Sequence, residues 1–406
     1  MRILAVNYEY PPLGGGGGVI LRDIVEELAS RGHEMTVLTS GFKDLKPVEQ
    51  FGANIEVHRV PVLMRKELPT ASMPSMLSFW PLGVKYGKKL IRQKQFDIVN
   101  SHFLVPSGPV GAKLAKLAGV PDVLSIHGGD IYDPTKKHSP HRHWVLRKLG
   151  RKLLLGADEV IGPSHDIMNN ARKYYVPGFE FKNHIPLGIK PTTMLQTSRA
   201  EFEIEEDRFV MITTGRLVER KKVGDMIRVL AKMDDPRDLL IVLGDGPKKA
   251  EWEQLARDLG VAERVQFRGY VSHEDKCKLT QLADAYTSTS THEGFGLVFV
   301  EAMDRGVPVV SFDRGGHVDY LVDGETGGVA PLGDLDAFAK RAMMLKNDDA
   351  FRAKCSAHVK EKAKLYHIAV CAGRYEALFE RTIAGAGQSQ PTSPPATQDP
   401  AQSHAA

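Results

Sequence analysis

Residues 292–302 read His-Glu-Gly-Phe-Gly-Leu-Val-Phe-Val-Glu-Ala and join a predicted strand, 285–288, to a predicted helix, 295–304. Gly294 and Gly296 open this helix, and the first N–H groups of a helix have no partner within it. Together with the positive end of the helix dipole, these groups form a place where an anionic diphosphate can bind. The stretch therefore predicts a strand, a phosphate-binding turn and a helix in succession.

Two carboxylates flank this turn. Glu293 immediately precedes the helix, and Glu301 lies about two turns further along, because an α-helix has about 3.6 residues per turn. Two negative side chains beside a bound phosphate are electrostatically unfavourable. They make sense if each accepts hydrogen bonds from hydroxyl groups, one on a sugar and the other on a ribose. The structural alternative is a capping Glu followed by a solvated Glu.

Outside this stretch, short β-rich runs alternate with helical patterns along the whole chain, as in βαβ units with a parallel sheet. The predicted strands are 3–7, 35–39, 55–60, 98–100, 123–126, 159–161, 208–213, 239–243, 265–268, 285–288 and 307–311. Turn-forming residues cluster between them at 186–193. The fold class that we predict is α/β, with two doubly wound, Rossmann-like domains that face each other across a cleft.

Two loops of the first half follow predicted strands and carry candidate ligand-binding residues. The glycine run 14–18 lets main-chain N–H groups approach a phosphate or a sugar hydroxyl, although a merely flexible turn is the alternative. It is not a dinucleotide motif, because no acidic residue ends the second strand. His127, in Ser-Ile-His-Gly-Gly-Asp (125–130), is placed to orient a sugar hydroxyl. The alternative is a histidine that only satisfies local backbone groups.

Two loops of the second half are also candidates. Gly-Arg-Leu-Val-Glu-Arg-Lys, residues 215–221, follows the first strand there and brings an Arg fork and a Lys charge together, as in a diphosphate clamp. The alternative is a solvated basic loop. Gly-Asp-Gly-Pro, residues 244–247, follows the next strand and forms a tight, ligand-facing turn. It is not a Walker loop, because no Gly-Lys-Ser/Thr follows.

Composition excludes several classes of protein. The 406 residues carry 54 Lys and Arg against 50 Asp and Glu, a net charge of +4 that is too balanced to indicate a nucleic-acid partner. Three cysteines are too few for a disulfide framework or a zinc finger, which favours a reducing cytoplasm. We expect neither a transmembrane helix nor a secretory signal, since no long apolar run and no signal-like N-terminus occur.

Taken together, these motifs resemble family-4 glycosyltransferases (glycosyl transferases group 1) with the GT-B fold, whose E-x7-E motif matches Glu293 and Glu301. The resemblance covers nearly the whole chain apart from its last residues. Further matching segments are 11–18, 31–34, 127–130, 157–164, 215–221, 244–247 and 301–310. The resemblance implies retaining transfer of a sugar from a UDP- or GDP-type donor to a hydroxyl acceptor. It implies no metal or other cofactor, because basic side chains and helix dipoles stabilise the leaving diphosphate.

Family correspondence also implies roles for individual residues. Arg216 and Lys221 would stabilise the leaving diphosphate, although Lys222 stands where the family commonly has Gly and leaves open which lysine does so. Glu293 would hold donor-sugar hydroxyls, and His127 the sugar near the reacting centre. Glu301 would hold the ribose. The other donor-binding residues that we expect are Gly15, Gly16, Gly17, Asp130, Gly244, Gly246, Phe295, Gly296 and Leu297.

The resemblance gives the two halves different tasks. We expect an acceptor-side domain at 1–190, a linker at 191–206 and a nucleotide-sugar-binding domain at 207–365. A C-terminal helix at 366–384 would cross back to the first domain, and a disordered tail would occupy 385–406. The acceptor would be a lipid-linked, cell-envelope or exopolysaccharide glycan. The competing functions are a nucleotide-sugar epimerase and a non-catalytic sugar-nucleotide binder.

Two basic stretches of the first half, 85–94 and 136–152, indicate a further partner. The second contains ten Lys, Arg or His and no acidic residue, and apolar residues between 64 and 82 precede the first. Basic and apolar side chains together suit an anionic bilayer, so we expect peripheral contact with the inner face of the cytoplasmic membrane. The alternative is a solvated helix face that forms part of the acceptor cleft.

Overall fold

Two parallel sheets organise the chain in the computed structural model, which describes residues 1–43, 45–65, 67–68, 71–137 and 139–388. The first sheet has the order β3-β4-β2-β1-β5-β6-β7-β8, and only β3 is antiparallel to its neighbour. Its strands are β1 (Arg2–Val6), β2 (Glu34–Ser40), β3 (Val48–Phe51), β4 (Ile55–Val60), β5 (Ile98–His102), β6 (Asp122–Ser125), β7 (Glu159–Gly162) and β8 (Asn183–His184). Its helices are α1 (Gly16–Ser30), α2 (Met73–Gln93), α3 (Ser107–Ala118), α4 (Trp144–Gly156) and α5 (His165–Tyr174).

The second sheet is parallel throughout and has the order β11-β10-β9-β12-β13-β14. Its strands are β9 (Phe209–Thr214), β10 (Asp238–Leu243), β11 (Val265–Gly269), β12 (Ala285–Ser288), β13 (Val309–Phe312) and β14 (Gly327–Ala330). Its helices are α6 (Val223–Met233), α7 (Lys249–Asp258), α8 (His273–Leu282), α9 (Leu297–Asp304), α10 (Leu335–Asn347) and α11 (Asp349–Ala363). Central strands such as β10, Asp-Leu-Leu-Ile-Val-Leu, are buried along their whole length, because helices cover both faces of a parallel sheet.

Each sheet has a topological switch point, where the strand order reverses. It lies between β1 and β5 in the first sheet and between β9 and β12 in the second. Ligands of open α/β sheets bind in the crevice beyond the carboxyl ends of the strands at such points. The loops after these strands are the glycine run, the loop at Phe103, the Arg216 loop and the Glu293 turn. Three of the candidate segments, all but the loop at Phe103, therefore lie at the switch points.

A long C-terminal helix, α12 (Ile368–Gln388), lies against the first unit. Glu376 accepts a hydrogen bond from Arg31 at 3.0 Å, and the Tyr375 hydroxyl donates to Ser125 at 3.2 Å. Both partners belong to the first half of the chain. The helix therefore ties the end of the chain to its beginning and limits how the two units are placed.

The structure confirms the α/β class and the two doubly wound units, and most predicted strands differ from the observed ones by one or two residues. The predicted start of the disordered tail at residue 385 is wrong, because α12 continues to Gln388. Ala384 and Ala386 near its end favour continued helix, whereas the intervening Gly385 and Gly387 disfavour it. The remainder of the predicted tail, 389–406, lies outside the described residues, as does His138 of the second basic stretch.

Among the residues that the structure describes, no helix combines the length and the apolar character needed to cross a bilayer.

Candidate active site

A cavity of about 300 Å³ lies between the two units, at the carboxyl ends of their strands. It brings together seven residues that the sequence singled out, contributed by three separate loops. These are His127, Lys221, Glu293, Gly294, Phe295, Gly296 and Leu297. Side chains that sequence reasoning did not single out also line it, namely Tyr132, Asp133, Arg220 and His292.

The central feature of the cavity is a carboxylate held by two cations. Lys221 Nζ lies 2.7 Å from Glu293 Oε1, and Arg220 Nη1 lies 3.1 Å from Glu293 Oε2. Arg220 also donates to the carbonyl of His292. Burial alone would raise the pKa of Glu293, but Lys221 and Arg220 hold that pKa well below its usual range. Glu293 is therefore an ionised hydrogen-bond acceptor over the whole physiological pH range.

The structure distinguishes between the two consecutive lysines. Lys222 adopts a left-handed backbone conformation with φ 47°, and its ammonium group pairs with Glu219 instead of entering the cavity. The Thr289 hydroxyl donates to the Lys222 carbonyl at 2.7 Å and holds this turn against the loop that follows β12. Lys221, by contrast, lines the cavity and directs its ammonium group to Glu293.

The turn before α9 exposes main-chain groups to the same cavity. Gly296 has φ 87°, a conformation that favours glycine, and a Cβ there would lie 2.8 Å from the Phe299 ring. The Tyr320 hydroxyl contacts the carbonyls of Phe295 and Gly296 at 2.7 and 2.9 Å and fixes the turn. The Phe295 side chain is buried. This segment therefore lines the cavity with its main chain and with the N-terminus of α9, which attracts anions.

His127 faces this turn from the first unit. Asn100 donates through Nδ2 to the Val123 carbonyl, which leaves its Oδ1 to accept from His102 Nε2 at 2.7 Å. His102 Nδ1 is then an acceptor and receives a hydrogen bond from His127 Nε2 at 2.9 Å. This chain fixes the tautomer, so His127 Nδ1 is an acceptor. That atom is buried, with no hydrogen-bond partner among the described residues.

The surroundings of His127 keep it neutral. Burial lowers its pKa to about 4 and holds the pKa of His102 well below its usual value. The Phe103 ring lies 4.5 Å from the His127 ring, centroid to centroid, and its own backbone is left-handed with φ 71°. Strained backbone of this kind concentrates at functional sites. A Cβ on Gly17 would lie 2.2 Å from the Phe103 ring, so the absence of a side chain at Gly17 lets this ring pack against His127.

Asp130 binds main-chain groups of its own and a neighbouring loop, although the sequence analysis predicts that it binds the donor. Its carboxylate accepts hydrogen bonds from the main-chain N–H groups of His127, Gly128 and Leu104, at 3.1, 2.8 and 2.8 Å. Asp130 does not belong to the cavity lining. In this structure it orders the turn that carries His127, a role that the sequence analysis did not assign to it.

Two predicted glycines likewise support a loop. A Cβ on Gly244 would lie 2.1 Å from the Gly215 carbonyl oxygen, and one on Gly246 would lie 2.4 Å from that of Leu217. Both therefore let the loop after β10 pack under the loop that carries Arg216. Arg216 itself is exposed, lies outside the cavity lining, and makes no side-chain hydrogen bond or ion pair within the described part of the chain. Gly15 and Gly16 border open space.

Glu301 faces a second cavity, of about 440 Å³, which lies between α1 of the first unit and the helices α8 and α9 of the second. Its Oε2 accepts a hydrogen bond from Lys276 at 2.8 Å. Leu297 lines both cavities, so the two are neighbours. Glu293 and Glu301, the two carboxylates of the motif, therefore line two adjoining cavities, which meet at Leu297 in the first turn of α9.

Hydrogen bonds between the units hold the cleft in this arrangement. The Ser164 hydroxyl donates to the Gly294 carbonyl at 2.7 Å, and Asp166 accepts from His292 Nε2 at 2.8 Å. The main-chain N–H of His165 donates to Asp319 at 2.8 Å. All three contacts join the start of α5 to the second unit. Sequence alone gave no signal for these pairings, because their members are more than 120 positions apart.

Comparison with known proteins extends these observations. Residues 195–362 match the family model described as glycosyl transferases group 1, and residues 14–189 match glycosyltransferase family 4. N-acetyl-alpha-D-glucosaminyl L-malate synthase of Bacillus anthracis is 26% identical over 385 residues, which cover 91% of this chain and 94% of that protein.

Solved structures show the same architecture. Sucrose-phosphate synthase from Thermosynechococcus elongatus is 21% identical with a TM-score of 0.82, covering 95% of this chain and 99% of that one. The Anabaena protein HepE in complex with UDP is 21% identical with a TM-score of 0.74, covering 94% and 100%. Since the two family models together span both units, the chain belongs to family 4 of the glycosyltransferases and has the GT-B fold.

Proposed function

We propose that this protein transfers a sugar from a nucleotide diphosphate sugar to a hydroxyl acceptor, with retention at the anomeric carbon and without a metal ion. The observation that carries the proposal is the meeting of Lys221, Glu293 and the start of α9 at the switch point of the second sheet, opposite His127. This arrangement supplies cations for a leaving diphosphate and acceptors for sugar hydroxyls in one cavity.

The diphosphate would lie against the N-terminus of α9, with Lys221 beside it. Two further cations start from the same loop: Arg220, which shares Glu293, and Arg216, whose side chain has no partner among the residues that the structure describes. Breaking the bond between the anomeric carbon and the diphosphate leaves the electron pair on the phosphate oxygen. Preorganised cations and helix dipoles lower that barrier, which is why we propose that no divalent ion takes part.

The sugar would lie between Glu293 and His127. Both present acceptor atoms, a carboxylate oxygen and a neutral imidazole Nδ1, and sugar hydroxyls supply donors. The acceptor hydroxyl then forms the new bond to the anomeric carbon, and its proton ends on the released nucleoside diphosphate or in solvent. Retention requires this bond to form on the face from which the diphosphate leaves, or through an intermediate.

The nucleoside would occupy the second cavity, where Glu301 accepts hydrogen bonds from the ribose. The position of Leu297 on the border of both cavities supports this arrangement, because a diphosphate beside Leu297 would lie between the sugar and the ribose. HepE, whose fold is the same, was solved with UDP bound. We therefore propose a uridine or guanosine diphosphate sugar as donor, and a lipid-linked, cell-envelope or exopolysaccharide glycan as acceptor, in the cytoplasm.

Two other functions make different experimental predictions. A nucleotide-sugar epimerase would convert its donor in the absence of any acceptor, and a non-catalytic binder would leave the donor unchanged under all conditions. The presence of Lys221, Arg220 and Glu293 in one cavity, with Glu301 in the adjoining one, favours a transferase over a binder. Incubation with the donor alone separates these cases.

The test is a turnover assay with a panel of UDP- and GDP-sugars, glycan or lipid-linked acceptors, and chelator in the buffer. We expect one donor to release its nucleoside diphosphate in the presence of acceptor, and NMR of the product to show the anomeric configuration of the donor. Product with the inverted configuration, activity lost with chelator, or conversion of donor without acceptor would each contradict the corresponding part of the proposal.

A further inference from the structure

A groove of about 710 Å³ lies on the outer surface of the first unit, between α2, α3 and α4, and the proposed reaction does not use it. Its walls are mainly apolar, and three lysines stand at its rim. The apolar residues include Trp80, Pro81, Val84, Leu149 and Leu153, and the lysines are Lys113, Lys116 and Lys152. We call this surface the lysine-rimmed groove.

Exposed apolar side chains extend the groove along the helices. Leu77 stands one turn before Trp80 on α2, and Val145 one turn before Leu149 on α4, so each shares the groove side of its helix. Leu77 is 68% exposed, Trp80 45% and Val145 54%. Contiguous apolar surface of this kind marks an interaction site with a partner or a membrane.

The charge on these three helices has one sign. They carry ten Lys and Arg, four on α2, two on α3 and four on α4, and their sequences contain no Asp or Glu. Within the described part of the chain, none of the ten forms an ion pair with a carboxylate. An ordinary solvated helix of this protein, α7, mixes Lys249, Glu251, Glu253, Arg257 and Asp258. The absence of acids therefore distinguishes α2, α3 and α4.

We propose that the lysine-rimmed groove binds the surface of an anionic lipid bilayer. Trp80 and Leu77 would enter the boundary between headgroups and acyl chains, and the lysines would contact lipid phosphates, the combination that interfacial membrane binding requires. Nucleic acid also attracts lysines, but its binding surfaces are mainly polar and would leave these apolar side chains exposed. The proposal does not depend on which sugar is transferred, or on the reaction proposed above.

The position of the groove relates the bilayer to the cleft. α4 begins at Trp144, which is 70% exposed and follows directly after the segment containing His141. The His141 ring packs on the ring of Tyr132, which lines the cleft cavity, at 4.7 Å between centroids. The start of α4 is therefore next to the cleft. The groove is lined by the other half of the same helix, from Leu149 to Gly156, so the cleft and the groove lie toward opposite ends of α4.

The test uses the full chain and vesicles of phosphatidylcholine with and without phosphatidylglycerol, separated by sedimentation at low and high salt. We expect binding only to the anionic vesicles, weakened by salt, with a blue shift of tryptophan emission. Each basic residue near an anionic surface contributes about 1 kcal/mol, so the combined change Lys113→Gln, Lys116→Gln and Lys152→Gln should weaken partitioning about 100-fold. Trp80→Ala should weaken binding and reduce the emission shift.

The matched control neutralises three lysines of α11, the exposed Lys354 and Lys360 and the half-buried Lys362, in the combined change Lys354→Gln, Lys360→Gln and Lys362→Gln, and should leave vesicle binding unchanged. Thermal unfolding and nucleoside diphosphate binding of both triple variants should match the wild type, which separates this proposal from the proposed reaction. Absence of binding to anionic vesicles at low salt would overturn the proposal. An equal loss of vesicle binding in both triple variants would also overturn it. So would displacement of the protein from vesicles by duplex DNA, which would then be the preferred ligand.

Discussion

Lys221 and Glu293 are 72 positions apart in the chain, yet the ammonium group of one lies 2.7 Å from a carboxylate oxygen of the other. They meet because β9 and β12 are neighbours at the switch point, so the loops that follow these strands face each other. The ion pair holds the lysine in position before any ligand is bound. The ammonium group of Lys221 would then already be oriented when a diphosphate binds at the start of α9.

This relationship predicts that Lys221 and Lys222 are not equivalent. Replacing Lys221 with Ala removes the oriented cation, and we expect kcat/KM to fall about 10²- to 10³-fold, the effect of removing one preorganised group of about 3 to 4 kcal/mol. Lys222→Ala removes only a pair with Glu219 on the outside of the turn and should change kcat/KM little. Equal losses in the two variants would refute the assignment.

Arg216 is expected to affect activity without affecting stability. Its side chain is exposed and has no partner among the described residues, so the free energy of unfolding of Arg216→Ala should stay within about 0.5 kcal/mol of wild type. If the side chain turns toward the diphosphate, kcat/KM should fall about 10-fold or more. Arg228→Ala, which removes an exposed pair with Asp225, is the control and should retain activity. An active Arg216→Ala enzyme would remove this residue from the site.

Gly246→Ala tests whether the loop after β10 positions the Arg216 loop. The added Cβ would lie 2.4 Å from the Leu217 carbonyl oxygen, so one of the two loops has to move. We expect the free energy of unfolding to decrease by about 1 to 3 kcal/mol and the activity to fall. Gly156→Ala, where a Cβ meets no atom within 4 Å, should change neither quantity much. Chemical denaturation and turnover measurements compare the two, and wild-type behaviour of Gly246→Ala would contradict the packing argument.

His127 gives stability a predicted pH dependence. Burial lowers its pKa to about 4, whereas an exposed histidine titrates near about 6.5. As the pH falls from about 6.5 toward 4, the unfolded chain binds a proton that the folded protein excludes, so the free energy of unfolding decreases. His127→Gln removes this group and should reduce the slope in that range. Urea unfolding at several pH values measures it, and an unchanged slope would contradict a neutral, buried His127.

Local features of the site were predictable from sequence, and long-range pairings were not. The turn before α9 depends on Gly296 and on adjacent residues, so its strand, turn and helix follow from residues 285–304. Residues 220–222 are three consecutive basic residues, and Lys222 adopts a left-handed backbone conformation although it is not a glycine. The sequence therefore does not indicate which of the two lysines points into the cavity. The pairing of His292 with Asp166 depends on which loops the two sheets bring together.

Helix α2 illustrates the same limit within the fold. Its sequence contains Pro81 as well as Gly83 and Gly87, residues that usually interrupt helices, and its pattern indicates only an apolar stretch followed by a basic one. In the structure, Gly83 and Gly87 let α2 lie close to α3, because a Cβ at these positions would be 3.1 Å from Val110 and 2.3 Å from Leu114. Packing between helices outweighs the unfavourable local propensity.

The most direct test of the central claim is a crystal structure of the protein with an intact UDP- or GDP-sugar. The account predicts the diphosphate at the start of α9, within about 3 Å of Lys221 Nζ and of the Leu297 or Val298 N–H, as hydrogen bonding requires. It also predicts the sugar hydroxyls on Glu293 and His127 Nδ1, and the ribose on Glu301. A nucleotide sugar bound outside the cleft, or bound there with Lys221 and Glu301 both out of reach, would contradict it.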